Sequence, residues 1–588
     1  MKQFFKFVLA TIFGIVISFV ILFFILVGII ASAGGEKTVT VDANSILYIS
    51  LQKTIEERTP DNPLGGLDFL GLGSDKAIGL KDILANIKKA KTDDNIKGIF
   101  LDESYMSSGQ ATTEEIRNAL IDFKKSGKFI IAYSEVYTKG FYYLASVADK
   151  VYLNPKGMVE FDGFNSDVTF LKGALDKLGI EVQVIKVGTF KSAVEPYVLT
   201  KMSDANRLQV TSYVGSLYDH YLSGIAKSRG INKDSLFKYA DNLTIREPED
   251  VVKYRLVDGL KYKDEIIAEL KKRTGTGDKS DLSSVDLGDY TNAAETDKDT
   301  ETSTNRIAMV YASGEISGGE GNDNTIGSET LSKALRKVRL DDKVKAVVLR
   351  VNSPGGSSLA SDVIWREVML TRKVKPVIVS MGDMAASGGY YIACAADSIY
   401  AQPNTVTGSI GIFAVLPNMQ KLFNDKLGVT FDNVKTGKYA DMGSVDRPLT
   451  ADERAILQAQ VNRGYYDFTK AVADGRHKTR AYIDSIGQGR VWTGSQALKI
   501  GLVDRLGSIN DAVKSAAKMA KLKKYRVVDY PEQKNVLSSL SSSLSASVRE
   551  NAVKAELGEQ YSIYKQIKGV TQMMRVPQAR MLYSVEIK

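Results

Sequence analysis

Three stretches carry residue types and spacings suited to acyl-transfer chemistry. Thr407-Gly408-Ser409-Ile410-Gly411 sets a serine between two glycines shortly after the strand-like run Ser398-Ile399-Tyr400-Ala401. The glycines allow a sharp turn and leave the hydroxyl approachable, as a nucleophile requires. A serine is a poor nucleophile at its own pKa and needs a base within hydrogen-bond reach. Histidine is the usual base, but the chain has only two, His220 and His477. The first lies in an amphipathic helical pattern and the second in the charged loop Gly475-Arg476-His477-Lys478, so both read as surface or helix-face residues. A lysine can serve if burial holds it neutral. Lys191 has apolar neighbours for that, in Val187, Phe190, Ala193 and Val194. The third stretch, Asn352-Ser353-Pro354-Gly355-Gly356-Ser357, follows the buried-strand pattern Val347–Val351 and precedes a helical one. Its glycines would expose the amides of Gly355 and Gly356 to a developing oxyanion.

A second serine, Ser387 in Ala385-Ala386-Ser387-Gly388, resembles the nucleophile motif of ClpP peptidases. Those enzymes use a histidine shortly downstream, and none lies between Ser387 and His477. Ser409 is therefore preferred, and Ser387 reads as a small residue for close packing where strand meets helix.

Composition narrows the alternatives. At 588 residues the chain exceeds a single core, so at least two domains are expected. Its charge of +9 is modest for this length and its lysines are scattered, which argues against nucleic-acid binding. One cysteine, Cys394, excludes an intrachain disulfide and makes a cysteine metal site improbable; its apolar neighbours mark it as a core residue. No metal and no cofactor are expected.

Residues Phe7 to Ala31 are almost wholly apolar and uncharged, long enough to cross a bilayer. Ala31-Ser32-Ala33 could serve as a cleavage site, but the length favours an uncleaved anchor over a signal peptide. Lys2 and Lys6 would stay in the cytoplasm. The expectation is a single-pass inner-membrane protein (anchor 1–35) with its catalytic domains on the periplasmic side.

Beyond the anchor the chain is duplicated. Asp93-Asp94-Asn95-Ile96-Lys97-Gly98-Ile99 matches Asp341-Asp342-Lys343-Val344-Lys345-Ala346-Val347, and Tyr142-Tyr143-Leu144-Ala145 matches Tyr390-Tyr391-Ile392-Ala393. The offset stays near 248 residues, which predicts tandem domains of one fold. Apolar β-rich runs alternate with helical patterns in each, predicting α/β domains with largely parallel sheets. The boundaries are 36–272 and 306–532, with a mobile linker at 273–305 and a tail at 533–588 given no fold. Aligning the copies puts Phe161 opposite Ser409 and Ala440 opposite Lys191. One copy thus keeps a nucleophile and the other a base, as in a site built from two decayed halves.

Asn352-Ser353-Pro354-Gly355-Gly356, Met384-Ala385-Ala386-Ser387-Gly388-Gly389-Tyr390-Tyr391, Thr407-Gly408-Ser409-Ile410-Gly411 and Phe190-Lys191-Ser192-Ala193-Val194-Glu195-Pro196-Tyr197 together resemble the long form of the signal peptide peptidase A (protease IV) family. The resemblance spans nearly the whole chain. It implies two tandem ClpP/crotonase-like domains after a transmembrane helix, a Ser/Lys dyad, and a bowl-shaped homotetramer. Implied substrates are cleaved signal peptides and other apolar peptides at the membrane. By position, Ser409 is the implied nucleophile, Lys191 the base, and the amides of Gly356 and Ile410, with Gly355 beside them, the oxyanion hole. Two rivals stand beside this reading. One is a crotonase-type acyl-thioester enzyme, which an exported protein could hardly supply with substrate. The other is a catalytically silent membrane scaffold that binds hydrophobic peptides.

Overall fold

The computed structural model describes residues 2–33, 39–60, 77–293, 303–321, 325–533 and 577–581, with three isolated positions between the last two. Lys2–Ala33 is one continuous helix of 32 residues. Its side chains are described only in part, as far as Ile21. Among the described residues no helix is long and apolar enough to cross a membrane, so the expected span is not seen there.

Each half of the remaining chain forms a parallel sheet, because its strands are near-continuous apolar runs that need cover on both faces. In the first half the order is 259–260, 150–159, 129–137, 96–102, 45–49, 284–286. The second half repeats it as 505–506, 398–401, 377–386, 344–353, 306–313, 526–530. Two short strands, 406–408 and 491–493, extend the second sheet beyond the long strand 377–386. The duplication is therefore visible strand by strand.

One expectation is corrected. The segment read as a linker begins inside the helix Lys263–Thr274, and Ser284–Asp286 pairs in parallel with Ile46–Tyr48 as the edge strand of the first sheet. It occupies the place that Arg526–Tyr530 takes in the second. Its polar composition hid a strand of three residues whose only buried side chain is Val285. Residues 294–302 lie outside the described residues, as does most of the tail; among its described residues, Gln578–Arg580 form a strand.

The halves interlock through a third sheet ordered 325–327, 315–317, 355–357, 578–580, 412–418, 181–187. Glu181–Val187 of the first half pairs antiparallel with Ile412–Asn418 of the second along their full length. A fully buried ion cluster adds to this seam. Arg350, of the second half, donates to Glu57 Oε2 at 2.8 Å and Glu115 Oε1 at 2.7 Å, both of the first. Asp383 Oδ1 accepts from the Thr112 amide at 2.9 Å across the same interface.

Removing one partner of a buried pair strands the other charge, a loss of about 3–5 kcal/mol. Arg350→Met should therefore unfold at clearly lower denaturant than wild type, with the loss falling in the transition that separates the halves. An unchanged denaturation midpoint would show that the cluster does not hold them together.

Candidate active site

The lysine arrives at the site because of the interdomain ladder. Val187 ends the strand paired to Ile412, and Gly188, at φ +109°, turns the chain toward the second half. There the Phe190 amide donates to the Gln488 carbonyl at 2.8 Å, and Gln209 Nε2 donates to the Phe190 carbonyl at 3.0 Å. Lys191 follows, 1% exposed. Two glycines make room for it. A Cβ on Gly489 would lie 2.5 Å from the Lys191 amide nitrogen, and one on Gly411 would lie 3.1 Å from Lys191 Cδ. Ala193, Val194 and Phe413, the last with its ring 5.9 Å from Nζ, pack together around this turn. Burial among these groups pushes the lysine pKa down to about 7.

The Nζ atom reaches three oxygens across the domain seam. These are Ser387 Oγ at 2.9 Å, Ser409 Oγ at 3.1 Å and the Ser409 carbonyl at 3.1 Å. The structure thus brings Lys191 and Ser409 together, and it brings in Ser387 as well.

The two serines sit on different backbones. Ser387 stands at the junction of the long strand Val377–Ala386 and the helix Gly388–Ala393, at φ 54° and ψ −113°, a conformation that side-chain-bearing residues avoid. Ser387 is thus a strained serine at a strand-to-helix turn. Ser409 lies between the strands Val406–Gly408 and Ile412–Asn418, at φ 50°, and its amide donates to the Arg490 carbonyl at 2.7 Å. The sequence reading made Ser387 a packing residue; the structure places its hydroxyl 2.9 Å from Lys191 Nζ, beside that of Ser409 at 3.1 Å.

Of the expected oxyanion donors, the Gly355 amide donates to Ser353 Oγ at 3.1 Å. Gly356 faces Ala579 of the C-terminal strand. The amide that comes nearest to Gly355 from the serine side is that of Gly388: a Cβ on Gly355 would lie 2.6 Å from it. Gly355 has φ +95°, and that Cβ would also meet the Ala579 carbonyl, so only glycine fits there. Ile410 is buried, and its carbonyl accepts from the Gly489 amide at 2.7 Å.

In the first half the position matching Ser387 by the 248-residue offset is Lys139, paired at 2.7 Å with Asp162. Neither histidine comes into the site. His220 Nε2 lies 3.0 Å from Glu114 Oε2, and His477 ends the helix Ala451–Arg476 in a left-handed conformation. Cys394 is a core residue, its thiol pushed up to about 12 by burial. Among the described residues no group of three metal-ligating side chains could hold an ion.

Residues 122–276 and 369–523 each match peptidase family S49, and together they cover more than half of the chain. The chain belongs to this family. It is a serine peptidase, as its S49 relatives are. "Protease 4" of Salmonella typhi is 39% identical over 547 residues, covering 90% of this chain and 87% of that one. "Protease 4" of Haemophilus influenzae is 35% identical over 84% of this chain and 82% of its own length. "Serine protease SPPA, chloroplastic" of Arabidopsis thaliana is 33% identical over 80% and 70%. Residues 298–407 also match the Clp protease family, a range that contains Ser387 and ends before Ser409. The two S49 matches fall one on each half, so the family supports the tandem α/β architecture.

The buried lysine dictates a pH profile. Only the neutral amine can accept a proton, so kcat/KM should rise as pH increases through about 7 and level off above it. Stability should follow with the same sign. The native lysine titrates near 7 and the unfolded one near 10.5, so the unfolded chain binds more protons between those values. Wild type should therefore lose stability relative to Lys191→Met as pH falls from about 10 to about 7, and change little below. Parallel chemical denaturation of the two proteins across that range checks this. A second outcome concerns Gly489, whose φ of +81° and contact with Lys191 leave no space for a methyl. Gly489→Ala should fold yet lower kcat by about 100-fold, the cost of moving a base by roughly 1 Å.

Proposed function

We propose that the protein is a membrane-anchored serine endopeptidase in which Ser409 is the nucleophile, Lys191 the base and Ser387 a second hydroxyl that holds the lysine. The observation that carries this reading is one buried amine 3.1 Å from Ser409 Oγ and 2.9 Å from Ser387 Oγ. Support for Ser409 comes from Thr407-Gly408-Ser409-Ile410-Gly411, one of the motifs that resemble the signal peptide peptidase A family. A neutral amine has two N–H donors and one lone pair. With its hydrogens donated to the Ser409 carbonyl and to Ser387 Oγ, the lone pair is left for the Ser409 hydroxyl proton.

In that arrangement Lys191 removes the proton from Ser409 as its oxygen attacks the scissile carbonyl. The resulting oxyanion is received by backbone amides, for which the family resemblance supports those of Gly356 and Ile410 with Gly355 beside them. Lys191 then passes its proton to the leaving amine, and as a neutral base again activates the water that releases the acyl group. No metal or cofactor enters these steps.

Substrates are apolar peptides, signal-peptide remnants among them. Support comes from the apolar run Phe7–Ala31, which would tether the catalytic halves beside the membrane, and from the family resemblance of the motifs. The same resemblance supports the periplasmic placement and a homotetramer.

Fluorophosphonate labelling of the full chain in detergent, with the adduct mapped by mass spectrometry, tests the assignment. Wild type should carry the adduct on Ser409. Ser409→Ala and Lys191→Ala should lose both label and peptide hydrolysis, by at least about 1,000-fold in kcat. Ser387→Ala should keep the adduct on Ser409 while slowing by about 10- to 100-fold. An adduct on Ser387 would move the nucleophile to that residue. A folded protein without adduct or hydrolysis would favour the scaffold.

A further inference from the structure

A cation without a counter-ion stands beside the reacting serine. The strands Val406–Gly408 and Val491–Thr493 pair antiparallel, and continuing their register by one residue sets Arg490 opposite Ser409. The Arg490 carbonyl accepts from the Ser409 amide at 2.7 Å. Its guanidinium carbon lies 4.3 Å from the ring centre of Trp492 and 5.0 Å from that of Phe190, the residue before the base. One ring comes from each half of the chain, so this clamp closes across the seam that assembles the dyad. Gln209, 0% exposed, ties its two arms together. Its Oε1 accepts from the Val491 amide at 3.2 Å, and its Nε2 donates to the Phe190 carbonyl at 3.0 Å. Among the described residues no carboxylate pairs with the guanidinium, and its buried Nε is unpartnered. Burial pushes its pKa down, with no acid near to oppose the effect. Aromatic stacking engages the face of a guanidinium and leaves in-plane N–H groups, a fork that matches a carboxylate.

The duplication ties this arginine to the nucleophile. The helices Pro248–Lys253 and Gly494–Lys499 follow matching N-caps, Glu247 and Thr493. Counting back three residues from each cap sets Thr244 opposite Arg490, and Arg246 then falls opposite Trp492. The half with Phe161 in place of the serine therefore lacks both the cation and its ring at these positions, as expected of groups that serve the reaction. We propose that Arg490 is a carboxylate-binding subsite beside Ser409, which takes a carboxylate of an apolar peptide close to the scissile bond, either its C-terminus or an Asp or Glu side chain. This rests on the serine-peptidase reading above and adds to it an acidic feature of the substrate. A half-buried cation is costly while unpaired, and the substrate's carboxylate relieves that cost on binding. A peptide released by an earlier hydrolysis ends in such a group, whereas an uncleaved chain has an amide there.

The test measures kcat/KM of the full chain in detergent on one apolar peptide in three forms. The first has a free C-terminal carboxylate, the second has that terminus amidated, and the third is amidated but carries Glu beside the scissile bond. Wild type should favour an acidic form over the neutral amide by about ten- to a hundred-fold, the worth of hydrogen bonds to a charged group, mainly through KM. Which acidic form is favoured identifies the source of the carboxylate. Arg490→Met should bring that ratio close to one, and Arg490→Lys, which keeps the charge without the fork, should leave it in between. An arginine that only shapes the site would slow all three peptides alike, and an unchanged ratio in Arg490→Met would overturn the subsite. A wild type without preference would overturn it too. Should Arg490→Met fail to fold, the ratio in Arg490→Lys decides in the same way. Hydrolysis of all three forms at one rate leaves the peptidase reading intact, whereas absence of both hydrolysis and fluorophosphonate adduct would remove the two readings together.

Discussion

A lysine buried in the seam between two domains, its pKa pushed down to about 7 by that burial, is the constraint to which the rest of the structure answers. The amine must be dry, close to a hydroxyl and free of a carboxylate that would keep it charged. No single half of the chain meets these conditions. The first half supplies the lysine at the end of its strand Glu181–Val187, and the second supplies both serines and the two glycines that leave room for the side chain. The seven-residue pairing with Ile412–Asn418 converts a problem of domain docking into one of strand register. A slip of one residue would reverse the face on which every side chain of the ladder lies. Register in this sheet therefore fixes where the amine stands.

That division of labour explains how duplicated sequences diverged. The second half carries Ser409, Ser387 and the loop Gly355-Gly356, with Ala440 opposite Lys191. The first half carries the lysine, while Phe161 stands opposite Ser409, Lys139 in an ion pair with Asp162 stands opposite Ser387, and the loop position holds Glu103-Ser104. Glu103 Oε1 there accepts from the neighbouring amide of Ser104 at 2.8 Å. Each half has spent its redundant positions on folding.

Much of this was legible in the sequence, and the reasons differ from residue to residue. The tandem folds were legible because matched apolar runs at one offset can only be matched strands. Lys191 stood out because its copy in the other half is Ala440, an asymmetry that chemistry explains and packing does not. That Ser387 Oγ also lies within reach of the amine was not legible, because it depends on the turn at Ser387 and on a lysine arriving from nearly 200 positions away, neither of which has a local sequence mark. The strand Ser284–Asp286 escaped because an edge strand with one buried side chain has no apolar period. The C-terminal strand escaped for a related reason. Its partner loop Gly355–Ser357 is read as a turn, so nothing in its own short sequence announces a ladder.

The energetics of the lysine close the argument. Lowering its pKa from 10.5 to about 7 corresponds to on the order of 5 kcal/mol of destabilisation at neutral pH, where the unfolded chain would hold the proton. This is a large fraction of the stability of an ordinary domain. It has to be offset by interactions that do not involve the lysine, and they must span the seam, because the cheapest escape for a buried amine is separation of the halves. The contacts found there have that character. The long antiparallel ladder, the Arg350 cluster with Glu57 and Glu115, and the Thr112–Asp383 bond all join the first half to the second. The ion cluster is itself a poor stabiliser relative to apolar packing, but it penalises any docking in which its charges are left unpaired. Specific docking matters more here than strong docking. A seam that closed one residue out of register would still bury apolar surface, yet would leave the amine without its serine.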